Sequence, residues 1–171
     1  MGKDHNSASN FPYSRTESYQ PMAVADLHHC EQALMFTDIV GYSRLMGRNE
    51  TMAIDMLGDY RKILRSHIEV QGGHLVEFIG DAIFARFDSA TSAAAAAIAI
   101  QQYLYEFNEQ RDKKLPRLQV RIGLHKGDVT LRDNAVFGDT VNITARLEPL
   151  AVAEGICISH AVYDEIRWSL S

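Results

Sequence analysis

The sequence has few of the residues that mark extracellular, membrane-spanning or redox-active proteins. It contains only two cysteines, Cys30 and Cys157, and neither lies in a Cys-x-x-Cys or Cys/His ligand pattern, which indicates reduced thiols rather than disulfides. The most apolar stretch, residues 93–100, is far shorter than the roughly 18–20 residues of a membrane span. The N-terminus also lacks the apolar core of a signal peptide. We therefore expect a cytoplasmic protein with no membrane partner.

An excess of positive charge is missing as well. The chain has 17 Lys and Arg residues against 22 Asp and Glu residues, a formal net charge of −5, and no basic cluster. Because nucleic-acid surfaces are basic, we expect no nucleic-acid partner. A polyanionic substrate would have to be bound through metal ions or backbone N–H groups. With 171 residues and 46% hydrophobic content, the chain fits one globular domain with a tail.

The pattern of apolar residues predicts a tail at residues 1–31 and a domain at residues 32–171. The tail is rich in Ser, Asn and charged residues and is predicted to be disordered, with His28 and His29 as solvated linker residues rather than metal ligands. The domain is predicted to begin with a strand from Gln32, followed by a helix over 50–70 that Asn49 caps, strands at 74–78 and 83–87, and a helix at 89–109. A strand at 118–124 comes next, which residues 127–131 either continue or pair with. The last predicted elements are a helix at 139–148, a strand at 156–159 and a helix at 161–170. This order predicts an α+β fold with a ferredoxin-like βαββαβ core, extended by further strands and helices.

The predicted topology brings two aspartates together as a candidate metal site. In a βαββαβ sheet the first and third strands are antiparallel neighbours, so the end of one meets the start of the other. Asp38 ends the first strand and Asp81 precedes the third, and paired carboxylates suit two divalent cations. The N–H groups of Val40, Gly41, Tyr42 and Ser43 follow directly, in a turn that enters a helix and can bind phosphate. Either aspartate alone is better explained by an ordinary surface turn, and it is the pair at matching strand ends that favours a metal site.

Asn142 and Arg146 form a second candidate group. They are four residues apart on the helix predicted at 139–148, whose other face is expected to carry Ile143, Leu147 and Leu150. An amide and a guanidinium can bind a sugar and a phosphate. A solvated surface pair is the alternative interpretation.

Five motifs in order resemble the class III nucleotidyl cyclase catalytic domain (adenylate/guanylate cyclase) of the bacterial type. They are FTDIVGYS, FIGDAIFARF, RIGLHKGDV, VFGDTVNITARLE and GICISHAVYDEI, and the resemblance covers residues 32–166. It implies the class III cyclase fold and conversion of ATP or GTP to the 3′,5′-cyclic monophosphate and pyrophosphate, for second-messenger signalling.

The resemblance also implies a head-to-tail homodimer with shared active sites. Asp38, Asp81 and the Ile39 carbonyl would hold two Mg²⁺ or Mn²⁺ ions. Asn142 and Arg146 of the partner subunit would orient the ribose and stabilise charge at the α-phosphate.

The chain departs from the family pattern at the base-selecting positions and at its end. Lys is usual at position 77 in adenylate cyclases and Glu in guanylate cyclases, and this chain has Glu77. Ala135 stands where an Asp or Thr usually binds adenine and Cys is common for guanine. Glu77 favours GTP, whereas bacterial relatives favour ATP. The chain stops at Ser171, before the strand pair with which relatives continue and which carries a triphosphate-binding Lys.

Two alternatives therefore stay open. One is a catalytically weak or inactive cyclase-like module that dimerises or regulates, which the missing strand pair favours. The other is a different two-metal nucleotidyl transferase with a similar core, which the Asn142/Arg146 helix disfavours.

Overall fold

The computed structural model describes residues 27–169, which form a mixed α/β domain with one sheet. The strands are β1 (His28–Ile39), β2 (His74–Ile79), β3 (Ala82–Phe87), β4 (Val120–Arg132), β5 (Ala135–Phe137) and β6 (Ile156–Ile158). The helices are α1 (Tyr42–Arg48), α2 (Glu50–Val70), α3 (Ala90–Gln110), α4 (Asp139–Leu147) and α5 (His160–Ile166), and a 3₁₀ turn (Glu148–Leu150) follows α4. The predicted α+β class is confirmed.

The sheet has the strand order β2-β3-β1-β4-β5, with β6 paired to β4. All pairs are antiparallel except β4 with β6, which is parallel. Its first four strands therefore have the order of the split βαβ arrangement, as predicted from the sequence of elements. β1 lies at the centre, paired on both sides.

The two faces of the sheet are covered differently. The large core lies between one face and helices α2 and α3, and includes the fully buried side chains of Tyr60, Leu64, Phe87 and Ile100. The alanine-rich stretch of α3 lets that helix pack closely on the sheet, since most of its alanines are buried. The opposite face carries a smaller cluster of Leu34, Phe36, Phe84 and Val129, against which part of α4 packs.

Strand β1 begins earlier than the sequence analysis predicted. His28 to Glu31 pair with Asp128 to Leu131 of β4, so the predicted boundary after residue 31 is wrong by four positions, and the two histidines belong to a strand rather than a linker. The physical reason is that the segments predicted at 118–124 and 127–131 belong to one continuous strand, β4, which begins at Val120 and whose second half provides a hydrogen-bonding partner for these residues. The rest of the predicted tail, residues 1–26, lies outside the described residues.

The helices agree with the prediction except at a few points. Asn49 caps α2, where its side chain accepts a hydrogen bond from the Met52 N–H. No bounds were predicted for the seven-residue helix α1, which the turn at residues 40–43 enters, because this helix buries no side chain and so has no apolar period. Helix α5 ends at Ile166, whereas a helix to residue 170 was predicted; residues 170 and 171 lie outside the described part of the chain.

Candidate active site

Asp38 and Asp81 lie at the same end of the sheet. Thr37 pairs with Ile83, and continuing this antiparallel register by two positions places Ile39 opposite Asp81. Asp81 occupies the two-residue hairpin turn between β2 and β3, where its carboxyl is close enough to the Ile39 backbone for a hydrogen bond that lowers its pKa. The strand order thus brings together two carboxylates that are 43 positions apart in the sequence.

Arg121 is paired with Asp38 and was not predicted as a site residue. It lies directly opposite Asp38 in the β1/β4 register. Its Nε donates to Asp38 Oδ1 at 3.0 Å and its Nη2 donates to Asp38 Oδ2 at 2.6 Å, a bidentate pair. Both oxygens of the candidate metal ligand therefore contact a guanidinium.

Glu148 adds a third carboxylate that the sequence analysis also missed. Its Oε1 lies 3.2 Å from Arg121 Nε, and its side chain is only 12% exposed. The 3₁₀ turn that carries it lies against β4 at Gly123, where a Cβ atom would collide with the Glu148 backbone. Glycine at position 123 is thus what lets this turn approach the strand. The RIGLHKGDV motif contains both Arg121 and Gly123, but only the three-dimensional register connects them to Asp38 and Glu148.

Burial and neighbouring negative charge together determine the electrostatics of this group. Burial, followed by a hydrogen bond to Asp38 and the charge of that residue, raises the pKa of Glu148 to about 8. Burial also raises the pKa of Asp81, with a smaller contribution from Asp38. The pKa of Arg121 is raised chiefly by its hydrogen bond to Asp38. Three carboxylates share one guanidinium, which is an environment that favours additional positive charge.

The donor set fits divalent cations, although the side chains are not arranged as a closed metal cage. Within residues 27–169, no group of three or more His, Cys, Asp or Glu side chains has the arrangement of a metal centre. Asp38, Asp81 and the Ile39 carbonyl provide oxygen ligands, which Mg²⁺ and Mn²⁺ prefer, and Mg²⁺ usually binds one or two carboxylates and keeps its other positions for water and phosphate. The pKa values of Asp81 and Glu148 are both raised, and a cation bound beside these carboxyls would lower them, because nearby positive charge favours the ionised form.

The predicted phosphate-binding segment needs one correction. The N–H of Val40 donates to the Gln119 carbonyl at 2.9 Å, so it is not available to a phosphate. Gly41 precedes α1 with φ +76°, a backbone conformation that favours glycine, and no side chain caps this helix. Gly41, Tyr42 and Ser43 therefore keep the predicted position at an uncapped helix N-terminus beside Asp38.

Asn142 and Arg146 lie on the exposed face of α4. The fully buried residues of this helix are Thr140 and Thr144, while Ile143 and Leu147 are half-buried. Leu150 is 71% exposed, so the predicted face is wrong for Leu150 and did not include the threonines. The reason is that threonine hydroxyls can be buried when they are bonded: Thr140 donates to the Asp128 carbonyl and Thr144 to the Thr140 carbonyl.

The helix α4 does approach the aspartates, but not through Asn142 and Arg146. Its C-terminal end leads directly into Glu148, which is close to Arg121 and Asp38. Neither Asn142 nor Arg146 forms a hydrogen bond or ion pair with Asp38 or Asp81 in the described part of the chain.

Glu77 and Ala135 are exposed and lie on strands at opposite ends of the strand order. Glu77 is in β2 and Ala135 begins β5, with β3, β1 and β4 between them. Four strand spacings correspond to about 19 Å. The structure therefore does not bring these two predicted base-selecting positions together within one chain.

Comparisons with known proteins agree on the family to which this chain belongs. Residues 25–169 match the model of the adenylate and guanylate cyclase catalytic domain. The chain belongs to this family. It is 36% identical over 138 residues to an adenylate cyclase of Anabaena cylindrica, a match that covers 71% of this chain and 28% of that protein. It is 30% identical over 135 residues to an adenylate cyclase of Streptomyces coelicolor, covering 78% of this chain and 34% of that protein.

Solved cyclase structures share the fold. An adenylate/guanylate cyclase/hydrolase from Silicibacter pomeroyi is similar with a TM-score of 0.78 and 37% identity, covering 85% of this chain and 84% of that one. The predicted family and the class III cyclase fold are thereby confirmed. The chain spans only about a third or less of the length of the two curated relatives above. In residues 27–169, no helix is both long and apolar enough to cross a membrane.

Proposed function

We propose that this cyclase domain converts a purine nucleoside triphosphate to its 3′,5′-cyclic monophosphate and pyrophosphate, for intracellular signalling. The observation that carries the proposal is the meeting of Asp38 and Asp81 at one end of the sheet, in a chain of the cyclase family. The ribose 3′ oxygen loses its proton and forms a bond to the α-phosphorus. The bond from that phosphorus to the oxygen bridging the α- and β-phosphates breaks, and pyrophosphate leaves.

Asp38, Asp81 and the Ile39 carbonyl would hold two divalent cations, Mg²⁺ or Mn²⁺. When bound, such cations supply Lewis-acid activation of an attacking oxygen and neutralise charge on the triphosphate. The chain's own groups position the substrate: the N–H groups of Gly41, Tyr42 and Ser43 face the phosphates at the N-terminus of α1. Positioning and electrostatic stabilisation are expected to provide most of the rate enhancement.

A head-to-tail homodimer completes the site in this proposal. Asn142 and Arg146 are exposed on α4 and have no partner among the described residues of their own chain, so they can act on a substrate held by a second copy. The separation of Glu77 from Ala135 supports the same arrangement, because one purine base cannot contact both positions of a single chain. A two-fold pair with reciprocal contacts contains two such sites.

ATP is the first substrate to test, because the curated relatives described above are adenylate cyclases. GTP is a second candidate that Glu77 favours. A carboxylate can accept hydrogen bonds from guanine N1–H and N2–H, whereas adenine N1 is itself an acceptor. Ala135 offers no side-chain acceptor to the adenine amino group.

Product analysis tests the proposal. The full chain is incubated with Mn²⁺ and either ATP or GTP, and the products are separated by chromatography. A cyclic nucleotide formed by the wild type and not by Asp81→Asn supports the proposal, while the ratio of the two products assigns the base. If no cyclic nucleotide forms, also from a chain extended at the C-terminus, the domain is the alternative dimerisation or regulatory module.

A further inference from the structure

The guanidinium of Arg121 occupies a position beside Asp38, the carboxylate that is expected to bind a metal ion. Its Nε and Nη2 donate to the two oxygens of Asp38 at 3.0 and 2.6 Å. Asp38 therefore already has a positively charged partner when no metal is bound. A divalent cation that binds this carboxylate has to compete with the side chain.

Glu148 is placed to receive Arg121 when that competition is lost. Its Oε1 is 3.2 Å from Arg121 Nε, yet this oxygen is buried and has no hydrogen-bond partner. The single Nε–H of Arg121 instead points to Asp38 Oδ1. A small reorientation of the guanidinium would exchange one acceptor for the other. The backbone of Glu148 lies directly on Gly123, which holds its carboxylate beside β4.

We propose that Arg121 is the internal counter-ion of Asp38, and that it transfers to Glu148 when a divalent cation binds Asp38. Glu148 is then the positioning residue for Arg121: it keeps the guanidinium at the site instead of releasing it to solvent. The inference rests on the metal-dependent function proposed above, and deepens it by assigning roles to two neighbouring residues beside Asp38.

The alternatives differ in what they predict for Glu148. If Glu148 were a direct metal ligand, its removal would weaken cation binding whether or not Arg121 is present. If it were only a structural residue of the 3₁₀ turn, its removal would lower stability and leave the state of Arg121 unchanged. If Arg121 transfers to Glu148, removing Glu148 must change the hydrogen bonding of Arg121 when metal is bound.

NMR of the full chain with ¹⁵N-labelled arginine observes Arg121 directly, with its Nε–H signal assigned by its loss in Arg121→Lys. Without metal the signal should be protected from solvent exchange in the wild type and in Glu148→Gln. Saturating Mg²⁺ should shift the signal in the wild type and leave it protected. In Glu148→Gln the same addition should speed its exchange at least about tenfold, because the neutral amide oxygen is a weaker acceptor for the guanidinium than a carboxylate. Glu69→Gln, at an exposed position of α2, is the matched control and should behave as the wild type.

Mn²⁺ affinity, measured calorimetrically without nucleotide, provides the second readout. Glu148→Gln should weaken Mn²⁺ binding about tenfold, as is usual when a residue that supports a metal ligand is replaced. In an Arg121→Gln background the same substitution should have a much smaller effect, since there is no guanidinium to receive.

The proposal is overturned if Mg²⁺ leaves the Arg121 signal of the wild type unchanged, or if Glu148→Gln weakens Mn²⁺ binding equally in both backgrounds. These outcomes are independent of product formation. A wild type that makes cyclic nucleotide while its Arg121 signal ignores Mg²⁺ refutes the transfer alone.

Discussion

Tyr60 of α2 and Thr37 of β1 share a buried hydrogen bond, with 2.5 Å between the two hydroxyl oxygens. Neither side chain is exposed, and Thr37 directly precedes Asp38. Burial raises the pKa of the Tyr60 hydroxyl, which therefore stays protonated and can act as a donor. This contact connects the large helical core to the strand end that carries the first aspartate.

Replacing Tyr60 by Phe should destabilise the domain. The substitution leaves the buried Thr37 hydroxyl without its partner, which costs about 1–3 kcal/mol. Urea unfolding measures the free energy of unfolding. Tyr105→Phe is the control, because Tyr105 is 62% exposed and its change should stay within about 0.5 kcal/mol. Equal stability of the two variants would show that the hydrogen bond contributes nothing.

Gly123→Ala should be destabilising for a different reason. Its new Cβ would collide with the backbone of Glu148, and displacing a packed turn costs about 1–3 kcal/mol. We also expect weaker Mn²⁺ binding, since Glu148 moves away from Arg121. Gly58→Ala in α2 meets nothing within 4 Å and should leave stability unchanged or raise it by up to about 1 kcal/mol. Thermal unfolding and calorimetry distinguish the two glycines; similar results for both would contradict a close approach at Gly123.

The metal-free domain should lose stability as the pH rises. The pKa of Glu148 is raised from 4.5 to about 8, so the folded state holds this proton more tightly than the unfolded state. Its contribution is complete below about pH 4.5 and is lost as the pH rises through about 8. Asp81 contributes with the same sign.

Urea unfolding in EDTA from about pH 5 to about pH 9 measures this dependence. Glu148→Gln should flatten the decline relative to the wild type, because the amide does not titrate. Added Mg²⁺ should stabilise most at the alkaline end. A variant whose decline is as steep as that of the wild type would show that another group is responsible.

Base preference should respond to Glu77 and Ala135 together. Glu77→Lys provides a donor for adenine N1, and Ala135→Asp provides an acceptor for the adenine amino group. The double variant should change the ratio of kcat/KM for ATP over GTP in favour of ATP by about tenfold or more. Steady-state kinetics with both nucleotides measure the ratio. An unchanged ratio would mean that neither position contacts the base.

Complementation tests whether the sites are shared. Asp38→Ala and Arg146→Ala should each be inactive alone. Random mixing of the two variants gives half heterodimers, each with one intact site, so activity should return to about a quarter of the wild-type level. No recovery after mixing and re-association would contradict a site built from two chains.

The sequence was sufficient to predict the parts of the fold that depend on element order. The βαββαβ order determines that β1 and β3 are neighbours, and hence that Asp38 and Asp81 meet. Arg121 and Glu148 were not predicted, because their role depends on the β1/β4 register and on the close approach at Gly123. Neither feature produces a recognisable pattern in the sequence. The prediction for α4 was wrong at Leu150 and missed Thr140 and Thr144, because apolar side chains were expected inside, where bonded threonine hydroxyls are found instead.

The long pairing of β1 with β4 makes the two aspartates mechanically unequal. Asp38 belongs to a strand paired on both sides, and amides of such central strands exchange their hydrogens only when the whole domain unfolds. Asp81 occupies a two-residue turn between β3 and the outermost strand β2, a place where local opening is inexpensive. The domain thus presents one carboxylate on a strand that is paired on both sides and the other on a hairpin turn at the outer part of the sheet. We expect any change in the distance between them to come from movement of the hairpin.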